Sequence, residues 1–245
     1  MIDTHVYLGR WPARRLPDGT TAALLARLRR HGVRQAWAGA FDGIFQEDLG
    51  AVNARLAEEC RATGMLVPFG SVNPRLPGWR EHLRQCHERH KMPGIRLHPG
   101  YHGYATNDPE FAELARQAAA RGMVVQIVLA MEDDRTLRPP FTARRADPAP
   151  LAELLRTVPD LRVVLLNAAR PVPPAPRMWV DFAMREGVEG LRTLAAQTGA
   201  RQVVFGSMLP LFYFESALLK VKEADLPAAD RGLILEENAA GLLRA

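Results

Sequence analysis

An eight-stranded α/β barrel is the fold this sequence predicts, on three observations. Apolar runs of strand length recur along the chain. Between almost every pair lies a segment with apolar residues at three- and four-residue spacing, several closing on glycine. The 245 residues, 47% of them hydrophobic, suit a single (β/α)8 domain spanning 1–245 with one large core.

The elements follow in order. IDTHVYL near residue 2, QAWAGAF near 35, LVPFGSVN near 66 and GIRLHP near 94 read as the first four strands, with VVQIVLA near 124, RVVLLNA near 162, MWVDFAM near 178 and QVVFGSM near 202 completing the set. The helical segments between them are TTAALLARLRRHG, LGAVNARLAEECRATG, LPGWREHLRQCHERH, DPEFAELARQAAARG, PAPLAELLRTV and EGLRTLAAQTG. After the last strand, FYFESALLKVKEA and PAADRGLILEENAAGLL predict extra C-terminal helices. One joint departs from the rhythm. Strands six and seven are separated by Ala168 to Arg177, a stretch containing Pro171, Pro173, Pro174 and Pro176, so the sixth helix is replaced by an extended Pro-rich connection and the barrel is distorted. The long loops PGYHGYATND and MEDDRTLRPPFTARRADP follow strands four and five, where barrel active sites are built.

Composition excludes several functions. The formal charge is +5, but Lys91, Lys220 and Lys222 are the only lysines and the arginines are spread along the helices, the pattern of a solvated basic surface, not a nucleic-acid groove. Cys60 and Cys86 are the only cysteines, each inside a predicted helix, which argues against a disulfide framework or a thiolate zinc site and fits a reducing cytoplasm. No basic and apolar leader opens the sequence and no run approaches the length that spans a bilayer, so a soluble, unexported, cytoplasmic protein with no membrane contact is expected.

Alternation places Asp3, His5 and Tyr7 on one face of the first strand and Ile2, Thr4, Val6 and Leu8 on the other. Taken together, IDTHVYLG, GIRLHPGYHGY, VVLLNA, VVFGSMLP and ILEENAAGLL resemble the amidohydrolase-2 family of metal-dependent hydrolases and decarboxylases, over nearly the whole chain. The resemblance implies a distorted TIM barrel with its site at the C-terminal ends of the strands. It also implies where a metal would be held: His-x-His on strand one, a histidine on strand five, sometimes one on strand six, and an aspartate after strand eight. Here only His5 survives. Tyr7 stands at the second histidine, Gln126 or Val128 at the strand-five ligand, Asn167 at the strand-six histidine and Met208 at the aspartate. A divalent ion needs several imidazole and carboxylate ligands, so no resident catalytic metal or other cofactor is expected; a cation, if held at all, would be a single divalent ion at His5. No lysine lies on a strand to bridge two metals or form a Schiff base, and no G-x-G-x-x-G follows a strand.

The chemistry then falls to side chains at the barrel mouth. His5 and His98 are the acid/base candidates, because imidazole titrates near neutrality, and Asp3 is placed to orient His5. Each histidine has a plainer alternative as a hydrogen-bonded barrel residue. Arg96 shares a strand face with His98 and is read either as the anchor of a substrate carboxylate or as a buried partner of Asp3 or Asp181. Tyr7, Asn73, Gln126, Asn167, Tyr101 and His102 complete the candidate binding set. In the acidic run Glu132, Asp133 and Asp134, Glu132 alone is kept as an acid/base candidate. Ser207 lacks the second glycine of a nucleophile elbow and is assigned a structural role. Trp11 and Arg10 are candidates to cover the mouth.

Two functions fit these residues. One is an enzyme, hydrolase, lactonase-like or decarboxylase-like, acting on a small carboxylated or carbonyl compound by metal-independent histidine chemistry with an arginine anchor. The other is a non-catalytic relative that binds a ligand or a partner protein through the apolar mouth. Convergence of His5, Arg96 and His98 on open solvent favours the first, and their burial in closed hydrogen bonds the second. The apolar segment LPLFYF, residues 209–214, hints at a homo-oligomeric contact.

Overall fold

Eight parallel strands pair in chain order: β1 (Ile2–Leu8), β2 (Gln35–Ala40), β3 (Leu66–Ser71), β4 (Gly94–Leu97), β5 (Val124–Val128), β6 (Arg162–Leu166), β7 (Met178–Asp181) and β8 (Val203–Val204). The structure, a computed structural model, describes residues 1–133 and 143–244. The barrel closes where the segment after β8 returns to β1: Thr4 N–H donates to Phe205 O at 2.9 Å, Tyr7 N–H to Leu209 O at 2.9 Å and Met208 N–H to His5 O at 2.8 Å. This is the predicted (β/α)8 architecture. Asp134 and much of the long loop after β5 lie outside the described residues.

The helices form where the apolar stripes predict them, at Thr21–Arg30, Leu49–Arg61, Trp79–Arg84, Pro109–Ala119, Leu151–Thr157 and Gly190–Thr198, with Phe214–Glu223 and the run from Ala228 to Arg244 closing the chain. Local chemistry sets their ends. The Thr20 hydroxyl accepts the Ala23 N–H at 3.3 Å and Asp48 Oδ1 accepts the Ala51 N–H at 3.0 Å, each satisfying a donor that the first turn cannot. Gly32 takes φ +71° just past its helix, a backbone state that other L-residues adopt at a cost. Among the described residues no helix occurs between β6 and β7, as the prolines require, and none is long and apolar enough to cross a membrane.

Two apolar layers sit on either side of the sheet. Between strands and helices lie Leu28, Leu56, Leu83, Ile95, Leu114 and their neighbours. Inside the barrel, Trp37 stacks on Phe69 with centroids 4.7 Å apart, and Val124, Val164 and Val204 fill the space around them. Of LPLFYF, Leu209, Pro210, Leu211 and Phe214 are buried in these layers, and Tyr213 is the exposed member at 69%. The segment therefore packs inward instead of presenting an apolar face. Cys60 and Cys86 are buried free thiols.

Candidate active site

Strand parity carries the polar side chains inward. β1 contributes Asp3, His5 and Tyr7, β4 and its exit Arg96 and His98, β5 Gln126, the exit of β6 Asn167, and the end of β7 Asp181, all buried. They divide into a lower group around Asp3 and His5 and an upper one around Tyr7.

In the lower group, His5 Nδ1–H donates to Asp181 Oδ2 at 2.7 Å. That bond assigns the tautomer and leaves Nε2 with the ring's lone pair. His5 Nε2 is buried and has no partner in the protein. The second oxygen of Asp181 accepts the Asn167 N–H at 2.7 Å. Asp3, expected to orient His5, does so only through the backbone: Oδ1 accepts the N–H groups of His5 at 3.0 Å and Ser207 at 3.1 Å, while Oδ2 accepts the Ser207 hydroxyl at 2.5 Å. Orientation of the imidazole belongs to Asp181. Ser207 also accepts the Leu209 N–H, which fits its structural assignment. Burial pushes the Asp3 carboxyl up to about 7, against the opposing pull of these donors. Burial holds His5 below its ordinary value despite the carboxylate of Asp181.

Arg96 is not at the mouth. Its guanidinium is fully enclosed, and four of its five N–H donors are taken: Nε by Gln126 Oε1 at 2.8 Å, Nη1 by Val6 O at 2.7 Å, and Nη2 by Thr4 O at 3.2 Å and Trp37 O at 2.9 Å. Its Cζ lies 4.6 Å from the Tyr7 ring centroid, within range of a cation–π contact. The irregularity in β1 between Asp3 and Val6 accompanies the turn of the Thr4 and Val6 carbonyls inward to this donor. Gly39 provides the room, since a Cβ there would lie 2.8 Å from Arg96 Nη1. Gln126 completes the clamp by donating to Thr4 O at 2.8 Å. The acid-anchor expectation thus gives way to a guanidinium bound to main-chain carbonyls, on which Asp3 and Asp181 act through charge without a direct hydrogen bond, and Gln126 serves that clamp instead of a ligand.

The upper group seals the mouth. His98 Nε2–H donates to the Tyr7 oxygen at 2.9 Å and the Tyr7 O–H reaches Met131 Sδ at 3.6 Å, leaving His98 Nδ1 buried without a partner. Burial keeps His98 well below its ordinary value and raises the Tyr7 phenol to about 12. Tyr7 stacks on Phe41 at 4.7 Å, and Trp11 packs against Phe41 at 5.4 Å, Phe45 at 5.6 Å and Tyr101 at 6.4 Å. Trp11 is buried and its indole N–H donates to Glu132 Oε1 at 2.7 Å, while Arg14 donates to Glu132 Oε2 at 3.3 Å. Glu132 is therefore a latch between the first and fifth strand exits, and Arg14, not Arg10, accompanies Trp11. His102 Nε2 bonds to Gly43 O at 3.1 Å and is held at about 4 by burial. Asn73 is remote from this chemistry: its side-chain oxygen accepts the Arg75 N–H in a local turn.

The positions where the resemblance implies metal ligands hold a phenol ring (Tyr7), an isopropyl group (Val128), a carboxamide (Asn167) and a thioether (Met208), all buried. Asn167 Nδ2 donates to Ala130 O at 2.6 Å and lies 2.9 Å from Met208 Sδ. Asn167 and Met208 both take positive φ, +62° and +58°. His5 Nε2, His98 Nδ1 and His102 Nδ1 are the unpartnered imidazole nitrogens here, both carboxylates are engaged, and no group of three His, Cys, Asp or Glu side chains among the described residues could hold a metal. This donor set does not fit a divalent cation.

The profile of the Amidohydrolase family matches residues 2–245. The chain belongs to the amidohydrolase family. No curated protein matches it. Among solved structures, this family member is similar to 5-carboxyvanillate decarboxylase from Sphingomonas paucimobilis, at 14% identity over 99% of this chain and 98% of that one, with a TM-score of 0.76. It is also similar to dihydroxybenzoic acid decarboxylase from a Polaromonas species with bound manganese and the inhibitor 2-nitroresorcinol (13%, 99% and 96%, TM-score 0.77). A third is a probable 2-pyrone-4,6-dicarboxylic acid hydrolase from Acinetobacter baumannii with citric acid bound (17%, 100% and 99%, TM-score 0.66). At such identities the likeness speaks to the fold.

Asp181 is the functional residue that sequence reasoning underweighted, having considered it only as a partner for Arg96. Its signal was available: in MWVD, alternation puts Asp181 on the opposite face from Val180, at the C-terminal end of a strand.

Proposed function

We propose that this amidohydrolase-family protein is an enzyme acting on a small carboxylated or carbonyl compound, with His5 as its acid/base and no resident metal. The observation that carries the reading is the His5–Asp181 pair. A carboxylate that fixes one ring nitrogen as donor leaves the other as an oriented base, the arrangement that makes imidazole effective in proton transfer. The Nε2 lone pair is buried and unpartnered, so it is not consumed by the fold. The carboxylated compounds named for the similar structures support the substrate class. The reading leaves hydrolysis and decarboxylation equally open, because proton transfer at Nε2 serves both.

A specific observation favours a second reading. His5, Arg96 and His98 are each at most 1% exposed, behind the Tyr7, Phe41 and Trp11 layer. In that reading the protein is a non-catalytic member that binds a ligand or partner at its rim. A panel of small carboxylic acids and lactones, assayed with chelator-treated wild type and His5→Gln, separates the two. Turnover that survives chelation and is lost in His5→Gln supports the enzyme. Turnover lost on chelation and restored by a metal overturns the cation-free mechanism. Absence of turnover with retained ligand binding supports the second reading.

A further inference from the structure

The loop from β7 into the helix Gly190–Thr198 leaves one charge unanswered. Its three acids are all engaged: Asp181 holds His5 at 2.7 Å, Glu186 meets Lys220 at 3.1 Å and Glu189 meets Arg192 at 3.0 Å. Arg185 stands in the middle of this loop without a carboxylate of its own. Its Nε and Nη2 are buried and have no hydrogen-bond partner in the protein. Burial holds its guanidinium below the ordinary value, and no neighbouring carboxylate acts against that.

The two unpartnered atoms are the ones that recognise anions. Nε–H and the adjacent Nη2–H point the same way along one edge of the guanidinium, a fork spaced for two oxygens of one acidic group. Other arginines of this protein show what that edge takes: Arg84 closes it on the two oxygens of Glu81, both at 2.7 Å, and Arg156 on those of Glu153 at 2.9 and 2.5 Å. In Arg185 the fork is intact, and a buried cationic donor without an acceptor is costly. Its position fits a ligand. Arg185 lies four residues past Asp181 at the carboxyl ends of the strands, the face on which barrel sites are built, and the residue as a whole is half-buried, within reach of solvent.

We infer that Arg185 anchors an oxyanion, a carboxylate or a phosphate group, at the β7 exit, with two oxygens of that group on Nε–H and Nη2–H. This is the two-pronged acid recognition that the enclosed Arg96 does not offer. The inference stands apart from catalysis by His5.

Calorimetric titration with acetate and with inorganic phosphate, at constant ionic strength, tests it on wild type, Arg185→Lys, Gly190→Asp and His5→Gln. Arg185→Lys keeps the charge and loses the fork. A Cβ at Gly190 would lie 3.5 Å from Arg185 Cβ, an ordinary contact, so Gly190→Asp sets a carboxylate of the protein's own beside the guanidinium. Wild type and His5→Gln should bind at least one of the anions at about millimolar Kd, and Arg185→Lys and Gly190→Asp at least about tenfold more weakly. Tighter acetate supports a carboxylic acid as the ligand, and tighter phosphate a phosphate ester. No binding to wild type, or wild-type affinity in either Arg185→Lys or Gly190→Asp, overturns the inference and leaves water as the partner of the buried nitrogens. Loss in His5→Gln overturns it too, by placing the anion inside the barrel.

Discussion

His5 and Asp181 stand 176 positions apart in the chain and are joined by one buried 2.7 Å hydrogen bond. The bond links β1 to β7 across the lower group of the barrel and decides which imidazole nitrogen remains basic. Asp181→Asn keeps a group that can accept the Asn167 N–H but abolishes the charged acceptor of His5 Nδ1–H. Turnover of a substrate found in the acid and lactone panel should fall by about 10² to 10⁴ with the fold intact, read as kcat against KM beside a thermal melt. An unchanged kcat would remove His5 from the chemistry.

Arg96 yields a different expectation. Arg96→Met removes the guanidinium donors from the carbonyls of Val6 and Trp37 and leaves Thr4 O with Gln126 Nε2 alone, and unmet buried acceptors are costly. A loss of about 3–5 kcal/mol of folding free energy is expected, measured by urea denaturation. A loss below about 1 kcal/mol would show that water or a neighbour replaces the clamp.

The buried titrating groups work against each other. Asp3 rises from 3.8 to about 7, so between those values the folded chain holds a proton that the unfolded chain has released, and this contribution to stability is lost as pH rises through 7. His102 falls from 6.5 to about 4, and His5 and His98 also fall. The His102 contribution is present above 6.5 and is lost as pH drops toward 4, and His5 and His98 act in the same direction. Relative to wild type, Asp3→Asn should therefore gain stability as pH rises from 3.8 to about 7 and level off above that, followed by denaturation midpoints at each pH. A difference that stays flat with pH would mean Asp3 ionises freely in the fold.

Trp11→Phe keeps the ring in the aromatic layer but deprives Glu132, 7% exposed, of its shortest hydrogen bond. The expected cost is about 1–3 kcal/mol. Loosening of the mouth should appear as faster hydrogen exchange at the end of β5, and equal stability together with equal exchange would discount the latch.

Much of this was legible in the sequence, for identifiable reasons. Strand parity alone sent Asp3, His5 and Tyr7 to one face, and the four prolines between Pro171 and Pro176 ruled out a helix where none forms. Arg96 was misplaced because burial of a guanidinium depends on three carbonyls from two other strands, contacts that no local pattern encodes. Trp11 and Glu132 belong to loops 121 positions apart, and periodicity has no purchase on loop-to-loop bonds. The Asn167 and Met208 backbones, both at positive φ, could not be foreseen from residue type, since neither is glycine.

Equilibrium dialysis against manganese or zinc, read by elemental analysis, should leave the wild-type chain with substoichiometric metal, and Met208→Asp alone should not change that. Stoichiometric binding by wild type would overturn the fit argued for the donor set.

The reason lies in the electrostatic balance around Arg96. In the barrel interior one permanent positive charge already faces the carboxylate of Asp181, Asp3 holds its proton up to about 7 and the histidines are kept neutral by burial. A divalent ion would add two positive charges to a buried interior that is already near neutral, where uncompensated charge is most costly. Holding a cation there would thus require removing the guanidinium as well as adding ligands.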